Sequence, residues 1–250
     1  MYRFYLLLIV KLLCVKVVFG ASLTDSLTFK AEKPTHYLNY RTLILPSSLI
    51  IYGAVGTYAD PFKKWNVNIR SYVLNNVDRK YSIDDQLRYI PIGAVYVLDM
   101  FGAKAKHKFF DRSIIIFTSY VLTTATVRSL KGTTRIMRPD SSLRTSFPSG
   151  HTSIAFAGAE FLWQEYKDKS VWYGIAGYTL AGSVGLLRVV NNKHWLTDVI
   201  AGAGVGILCT KTSYFLYDRF KNKLQNRKYD LMIYPNIGKN TWNLGFSMRF

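Results

Sequence analysis

Residues 148–163 read PSGHTSIAFAGAEFLW. A Pro-Ser-Gly turn opens an apolar run of small residues without polar/apolar alternation. Such a run suits a helix packed closely on its neighbours rather than a strand. Five comparable runs surround it, so the six apolar segments are 43–59, 90–103, 113–127, 152–163, 171–187 and 195–216. Glycines recur in the last two, at Gly174, Gly177, Gly182, Gly185, Gly202, Gly204 and Gly206. Most uninterrupted runs fall short of the roughly 20 residues of a comfortable membrane span. Asp99, Glu160 and Asp198 interrupt them. Two architectures fit: short membrane helices around a polar site, or the buried helices of an all-α globular domain. In either case the expected fold is all-α, a bundle of about six core helices. The polar stretch 60–88 is expected to hold an amphipathic helix and loops.

The composition narrows the class. The 250 residues carry 33 Lys+Arg against 15 Asp+Glu, a net charge of +18, with 49% apolar and 15% aromatic residues. That excludes a disordered chain. Cys14 and Cys209 both lie in apolar runs, so neither a disulfide framework nor a thiolate metal site is expected. Mean hydropathy is +0.06, between ordinary soluble and polytopic proteins. The charge excess points to anionic partners.

The ends differ from the middle. Residues 1–20, MYRFYLLLIVKLLCVKVVFG, read as a signal peptide, with an uncleaved membrane anchor as the alternative. Residues 21–40 form a lead, 41–216 the helical domain and 217–250 a basic tail. In that tail Arg219, Lys221, Lys223, Arg227 and Lys228 suit a membrane surface or a solvated helix end equally. The alternation Trp242, Leu244, Phe246, Met248 and Phe250, after Leu231–Tyr234, predicts a small C-terminal β-hairpin capping the helical body.

Three short stretches carry candidate chemistry: Lys131 through Arg138-Pro139, Pro148-Ser149-Gly150-His151, and Arg188 through His194 to Asp198. Singly, each has a plain structural explanation. Together they fall at one end of the bundle if successive helices run antiparallel. Lys131, Arg138 and Arg188 then converge with two histidines. Like charges so gathered repel unless an anion sits among them, and phosphate matches the forked guanidinium. Ser149, Gly150 and His151 open a helix, where free N–H groups and the dipole favour an oxyanion. His194 and Asp198 share a helix face at a spacing of four. The carboxylate can fix the imidazole tautomer and leave the other nitrogen to attack phosphorus, with His151 protonating the leaving oxygen.

This pattern resembles the signature of the type 2 phosphatidic acid phosphatase superfamily: Lys, six residues, Arg-Pro; then Pro-Ser-Gly-His; then Ser-Arg, five residues, His, three residues, Asp. The resemblance covers about residues 110–216. It implies that His194 is the nucleophile forming a phosphohistidine, that Asp198 orients it and that His151 is the general acid. It implies a phosphate held by Lys131, Arg138, Ser149, Gly150 and Arg188, with no metal and no cofactor. Leu187 replaces the signature serine, and only eight residues, 140–147, separate the first two motifs. Arg135 and Arg144 lie nearby, either solvated or facing a second anionic group.

The chain looks most like the compact lipid-phosphatase branch that includes bacterial lipid A phosphatases. The expected substrate is a phosphorylated lipid head group, with lipid A favoured. Undecaprenyl diphosphate, phosphatidic acid or phosphatidylglycerol phosphate are alternatives, as is a secreted acid phosphatase. A phosphate-lipid binding protein is the non-enzymatic alternative, against which the full His151/His194/Asp198 set argues. A membrane is an expected partner and nucleic acid is not. The basic loops 104–112 and 167–169 share the end opposite the site, so the positive-inside rule sets the site on the periplasmic face, most simply of a Gram-negative inner membrane. A cleaved leader followed by six full spans would set it inside, so the two expectations conflict.

Overall fold

The structure is a computed structural model and describes residues 40–77, 83–225, 230–237 and 242–249. The expected leader at 1–20 lies outside these residues. By compactness the chain divides into two units: residues 34–219, and residues 1–33 together with 220–250.

The larger unit is helical. Its elements are α1 (Tyr40–Tyr58), α2 (Asp60–Asn76), α3 (Asp84–Leu87), α4 (Ile90–Met100), α5 (Phe109–Thr134), α6 (Gly150–Tyr166), α7 (Val171–Val190) and α8 (Leu196–Gln225), the last extending past residue 219. All six apolar runs are helical. The expectation of about six core helices needs correction, because the described residues hold eight. The two additional helices, α2 and α3, come from the polar stretch 60–88, where exposure on one side removes the long apolar run. In the second unit, β1 (Asp230–Ile237) pairs antiparallel with β2 (Trp242–Arg249), with Tyr234 opposite Gly245. Residues 238–241, where the connecting turn is expected, are not among those described.

Helix α6 is the pillar of the larger unit. Twelve of its 17 residues are buried, so neighbours enclose it on nearly every side. Small residues allow this. A Cβ on Gly202 of α8 would lie 2.7 Å from the Ser149 carbonyl, and one on Gly206 would overlap the Ser153 carbonyl. The α6 and α8 backbones therefore touch, as small-residue interfaces permit. Phe161, Leu162 and Tyr166 of α6 join Val95, Ile115 and Tyr214 in the main apolar cluster.

The acids that interrupt the apolar runs are paired. Asp99 meets Arg112 at 2.8 Å. Glu160 accepts from Lys211 Nζ at 2.7 Å, from Gln164 and from the Tyr178 hydroxyl. Glu165 meets His107 Nδ1 at 2.8 Å and the Tyr214 hydroxyl at 2.6 Å.

Outward faces carry large apolar residues: Ile114, Phe117 and Val121 on α5, and Val171, Trp172 and Leu186 on α7. Among the described residues, α5, α7 and residues 196–223 of α8 are long and apolar enough to cross a membrane. The α1–α2 pair, bent by 87°, would make a fourth span if counted as one. These observations favour the membrane architecture over the globular one.

Contact between α6 and α8 predicts a strong asymmetry between two glycine substitutions. Gly206→Ala inserts a methyl into the α6 backbone and should lower stability by about 2 kcal/mol or more, as overpacking does. Gly182→Ala meets nothing within 4 Å and should be neutral or slightly stabilising. Thermal unfolding of both variants in detergent checks this. Equal melting temperatures would remove the close helix contact.

Candidate active site

Helix α5 ends at Thr134, where Arg135 adopts a left-handed conformation (φ 47°) and accepts no further helical turn. Lys131, one turn earlier, aims its Nζ back at the chain that follows. It donates to the carbonyls of Thr145 and, at 3.3 Å, Ser146. The eight-residue connector is thereby folded over the end of α5. It is held further by Ser146 N donating to the Ile136 carbonyl at 2.9 Å and Arg138 N to the Leu143 carbonyl at 3.0 Å.

Ser149 is the N-cap of α6, yet no side chain caps that helix. Its hydroxyl is occupied by Thr152 Oγ1 at 2.9 Å. The first-turn N–H groups, which lack intrahelical partners in any α-helix, lie at the mouth of the site. Ser149 N itself donates to the Asp198 carbonyl at 3.0 Å. That single bond joins the second motif to the third.

The third motif is a tight loop between α7 and α8. Lys193 N and His194 N both donate to the Arg188 carbonyl, at 3.0 and 3.3 Å, and Asn192 takes a positive φ of 56°. Asp198 Oδ2 accepts from Trp195 N at 3.0 Å, the reciprocal half of a capping box, and from Ser146 Oγ at 2.5 Å. The same oxygen lies 3.5 Å from His194 Nδ1. His194 is only 2% exposed. Burial pushes its imidazole down to about 4 despite the neighbouring carboxylate, so it is neutral at physiological pH.

The sequence-derived residues therefore come together. Arg188 acts electrostatically on both His151 and His194, and Arg138, Arg188 and Asp198 all act on Lys131. Several buried side-chain polar atoms lack a hydrogen-bond partner among the described residues. Five of them gather here: Nε of Arg88, Arg138 and Arg188, Nδ1 of His194 and Oδ1 of Asp198. Buried donors without acceptors are costly. Three guanidinium Nε atoms in one site call for an anion.

Several members of the site were not anticipated. Asp84, 2% exposed, meets Arg188 Nη1 at 2.5 Å and accepts from Asn191 at 3.3 Å. Asp85 meets His151 Nε2 at 2.6 Å. The His151 imidazole is lowered by burial and by Arg188, and Asp85 pulls it partly back up. Ser146, fully buried, holds Asp198. Asn66 of α2 donates to Thr197 Oγ1 at 2.9 Å and steadies the start of α8. Ser146 carried a weak signal, lying in a connector too short to leave the site. Asp84 and Asp85 carried none.

Asp84, Asp85 and His151 also offer ligand atoms within 4.8 Å of one another, close enough for a metal ion. Arg188 already neutralises Asp84, and Arg88 lies in electrostatic range of Asp85. Two guanidinium groups work against a divalent cation at that position.

Comparison with known proteins follows the same segment. The PAP2 superfamily profile matches residues 112–222, which contain all three motifs but not β1 and β2. A lipid A 1-phosphatase of Porphyromonas gingivalis is 37% identical over 137 residues, covering 54% of this chain and 31% of that protein. Probable lipid phosphate phosphatase 4 of Arabidopsis thaliana is 36% identical over 80 residues, 28% of this chain and 26% of that one. The chain thus spans less than a third of the length of the curated relatives it matches. Among solved structures, Aquifex aeolicus LpxE aligns with a TM-score of 0.45 at 23% identity, over 60% of this chain and 94% of that one. A transmembrane PAP2-type phosphatidylglycerolphosphate phosphatase from Bacillus subtilis aligns with a TM-score of 0.44 at 22% identity, over 72% and 97%. Residues 112–222, which hold the paired histidines and their cations, are thus similar to the PAP2 superfamily.

Proposed function

We propose that this protein is a metal-independent phosphatase that removes a phosphate from a lipid head group through a phosphohistidine. The observation that carries it is the convergence of unpartnered buried guanidinium atoms on two histidines, one of them neutral and facing a carboxylate.

The phosphate sits among Lys131, Arg138 and Arg188, with Ser149 and Gly150 at the N-terminus of α6 supplying backbone donors. His194 Nε2 attacks phosphorus while Nδ1–H turns to Asp198. The ester P–O bond breaks, and the leaving lipid oxygen takes a proton from His151. Water then gives a proton to His151 and attacks phosphorus, the P–N bond breaks, and phosphate and free His194 result. The cations stabilise charge that develops on the transferring group. Asp84 acts as a positioning residue. By holding Nη1 of Arg188, it fixes the guanidinium plane and leaves Nε for the ligand. Asp85 positions His151 in the same way.

A lipid substrate is supported by the apolar outer faces and candidate spans beside the site. Lipid A is favoured among lipids by the similarity to the Porphyromonas gingivalis protein. The extracytoplasmic face is favoured by charge. The basic loops around Lys106 and Lys167 join at the C-terminal end of α6, where Lys106 N donates to the Glu165 carbonyl, whereas His151 is at the other end.

His194→Ala should lower phosphate release by about 1,000-fold or more while the melting temperature stays near that of the parent. Vanadate, whose geometry mimics the phosphoryl transition state, should inhibit the parent strongly. Turnover in His194→Ala close to the parental rate would end the mechanism.

The kcat/KM profile should be bell-shaped, since His194 must be neutral and His151 protonated in the free enzyme. The rising limb reflects His194, near 4. The falling limb reflects His151, below the usual histidine value. Asp85→Asn removes a group that raises His151, so the falling limb should move to lower pH while the rising limb stays. A falling limb that stays in place or moves up contradicts the assignment of His151 as the acid held by Asp85.

A further inference from the structure

Beside the phosphate site lies a second basic recess. It is a groove of about 520 Å³ lined by Arg128, Lys131, Gly132, Arg135, Arg144 and Thr145. Four of the six lining residues are cations and none is acidic. Arg128, Arg135 and Arg144 are exposed, and no ion pair is formed by any of the three among the described residues. Arg135 only donates its Nε to the Gly132 carbonyl, at 3.2 Å. The cations that other acids of this fold meet are paired: Lys211 with Glu160, Arg112 with Asp99, Lys193 with Asp140 and Arg188 with Asp84. No such acid lines the groove. Like charges gathered on one wall raise its potential, and an anion relieves their mutual repulsion.

Its position is equally informative. Lys131 belongs to both recesses, lining the groove while lying in the electrostatic field of Arg138, Arg188 and Asp198. Thr145 lines the groove, and the next residue, Ser146, bonds Asp198. One side chain and one peptide separate the two recesses. An anion in the groove and a phosphoryl group at His194 are therefore close enough to belong to one head group.

We infer that the groove of Arg128, Arg135 and Arg144 is a second anion subsite, selecting lipids whose head group carries a second phosphate besides the one removed. The inference rests on the phosphatase assignment and names the class of substrate for it. The same cations could meet a phosphate on a neighbouring lipid, and the experiment separates the two sources.

The test uses the full chain in zwitterionic detergent micelles. A disaccharide lipid phosphorylated at both ends is compared with its singly phosphorylated counterpart. The parent should show a KM about tenfold lower for the doubly phosphorylated lipid, the scale of one charge-assisted contact. The Arg135→Ala/Arg144→Ala variant should lose that preference and hydrolyse the singly phosphorylated lipid at the parental kcat and KM. An equal loss on both lipids overturns the subsite. So does a variant effect seen only when phosphatidylglycerol is added to the micelles, which assigns the cations to the surrounding lipid. Hydrolysis of the singly phosphorylated lipid by the parent tests the phosphatase assignment separately. If no turnover is found, calorimetric binding of both lipids to His194→Ala, with and without the two arginines, still decides the subsite. Equal affinity for both lipids would reject it.

Discussion

Ser149 donates its backbone N–H to the carbonyl of Asp198, and that bond forms only because α6 and α8 approach until their backbones touch at Gly202 and Gly206. The geometry of the site follows from this contact. It sets the open N-terminal turn of α6 beside the first turn of α8, so the second and third motifs meet without a long loop. Asp198 then reaches Trp195 N, Ser146 and the His194 imidazole from one position. A helix pair even one methyl group further apart would separate the histidine from the helix end that completes its anion cradle.

The electrostatics obey a second constraint. Lys131, Arg138 and Arg188 stand close together inside a body whose outer faces are apolar. Asp84 relieves part of the repulsion by pairing with Arg188, and Asp85 does the same beside Arg88 and His151. The remaining imbalance is concentrated on Nε atoms that no protein group satisfies. Partial neutralisation of this kind keeps the fold intact without a ligand yet leaves affinity for one. Full pairing would have left no charge for a ligand, and no pairing would have left three clustered cations with no counter-charge.

Much of the candidate site's placement was legible in the sequence because each motif sits at a helix terminus, where residue spacing fixes position. The four-residue step from His194 to Asp198 places both on one face, and Pro-Ser-Gly before an apolar run marks the start of α6. Helical character was legible for the same reason, in runs lacking alternation. The helix number was not, because α2 and α3 are half-exposed and carry their apolar residues at intervals. Asp84 and Asp85 were illegible on different grounds. Asp84 lies 104 residues from Arg188, in a polar stretch where acids ordinarily face water. Only the packing of α3 against α6 and α7 gives them a role. The exposed arginines of the groove show the reverse case: their proximity in the chain was plain, and their shared wall with Lys131 was not.

Glu160 and Glu165 also bear on how the protein is assembled. Helix α6 carries both, with Gln164, toward the end remote from His151. A carboxylate placed in hydrocarbon by itself costs about 3 kcal/mol on insertion scales. Their partners are contributed by other segments: Tyr178 by α7, Lys211 and Tyr214 by α8, and His107 by the chain before α5. Two of those segments are synthesised after α6. Glu160 therefore gains the Tyr178 hydroxyl and the Lys211 cation only once α7 and α8 follow, and the three helices settle together.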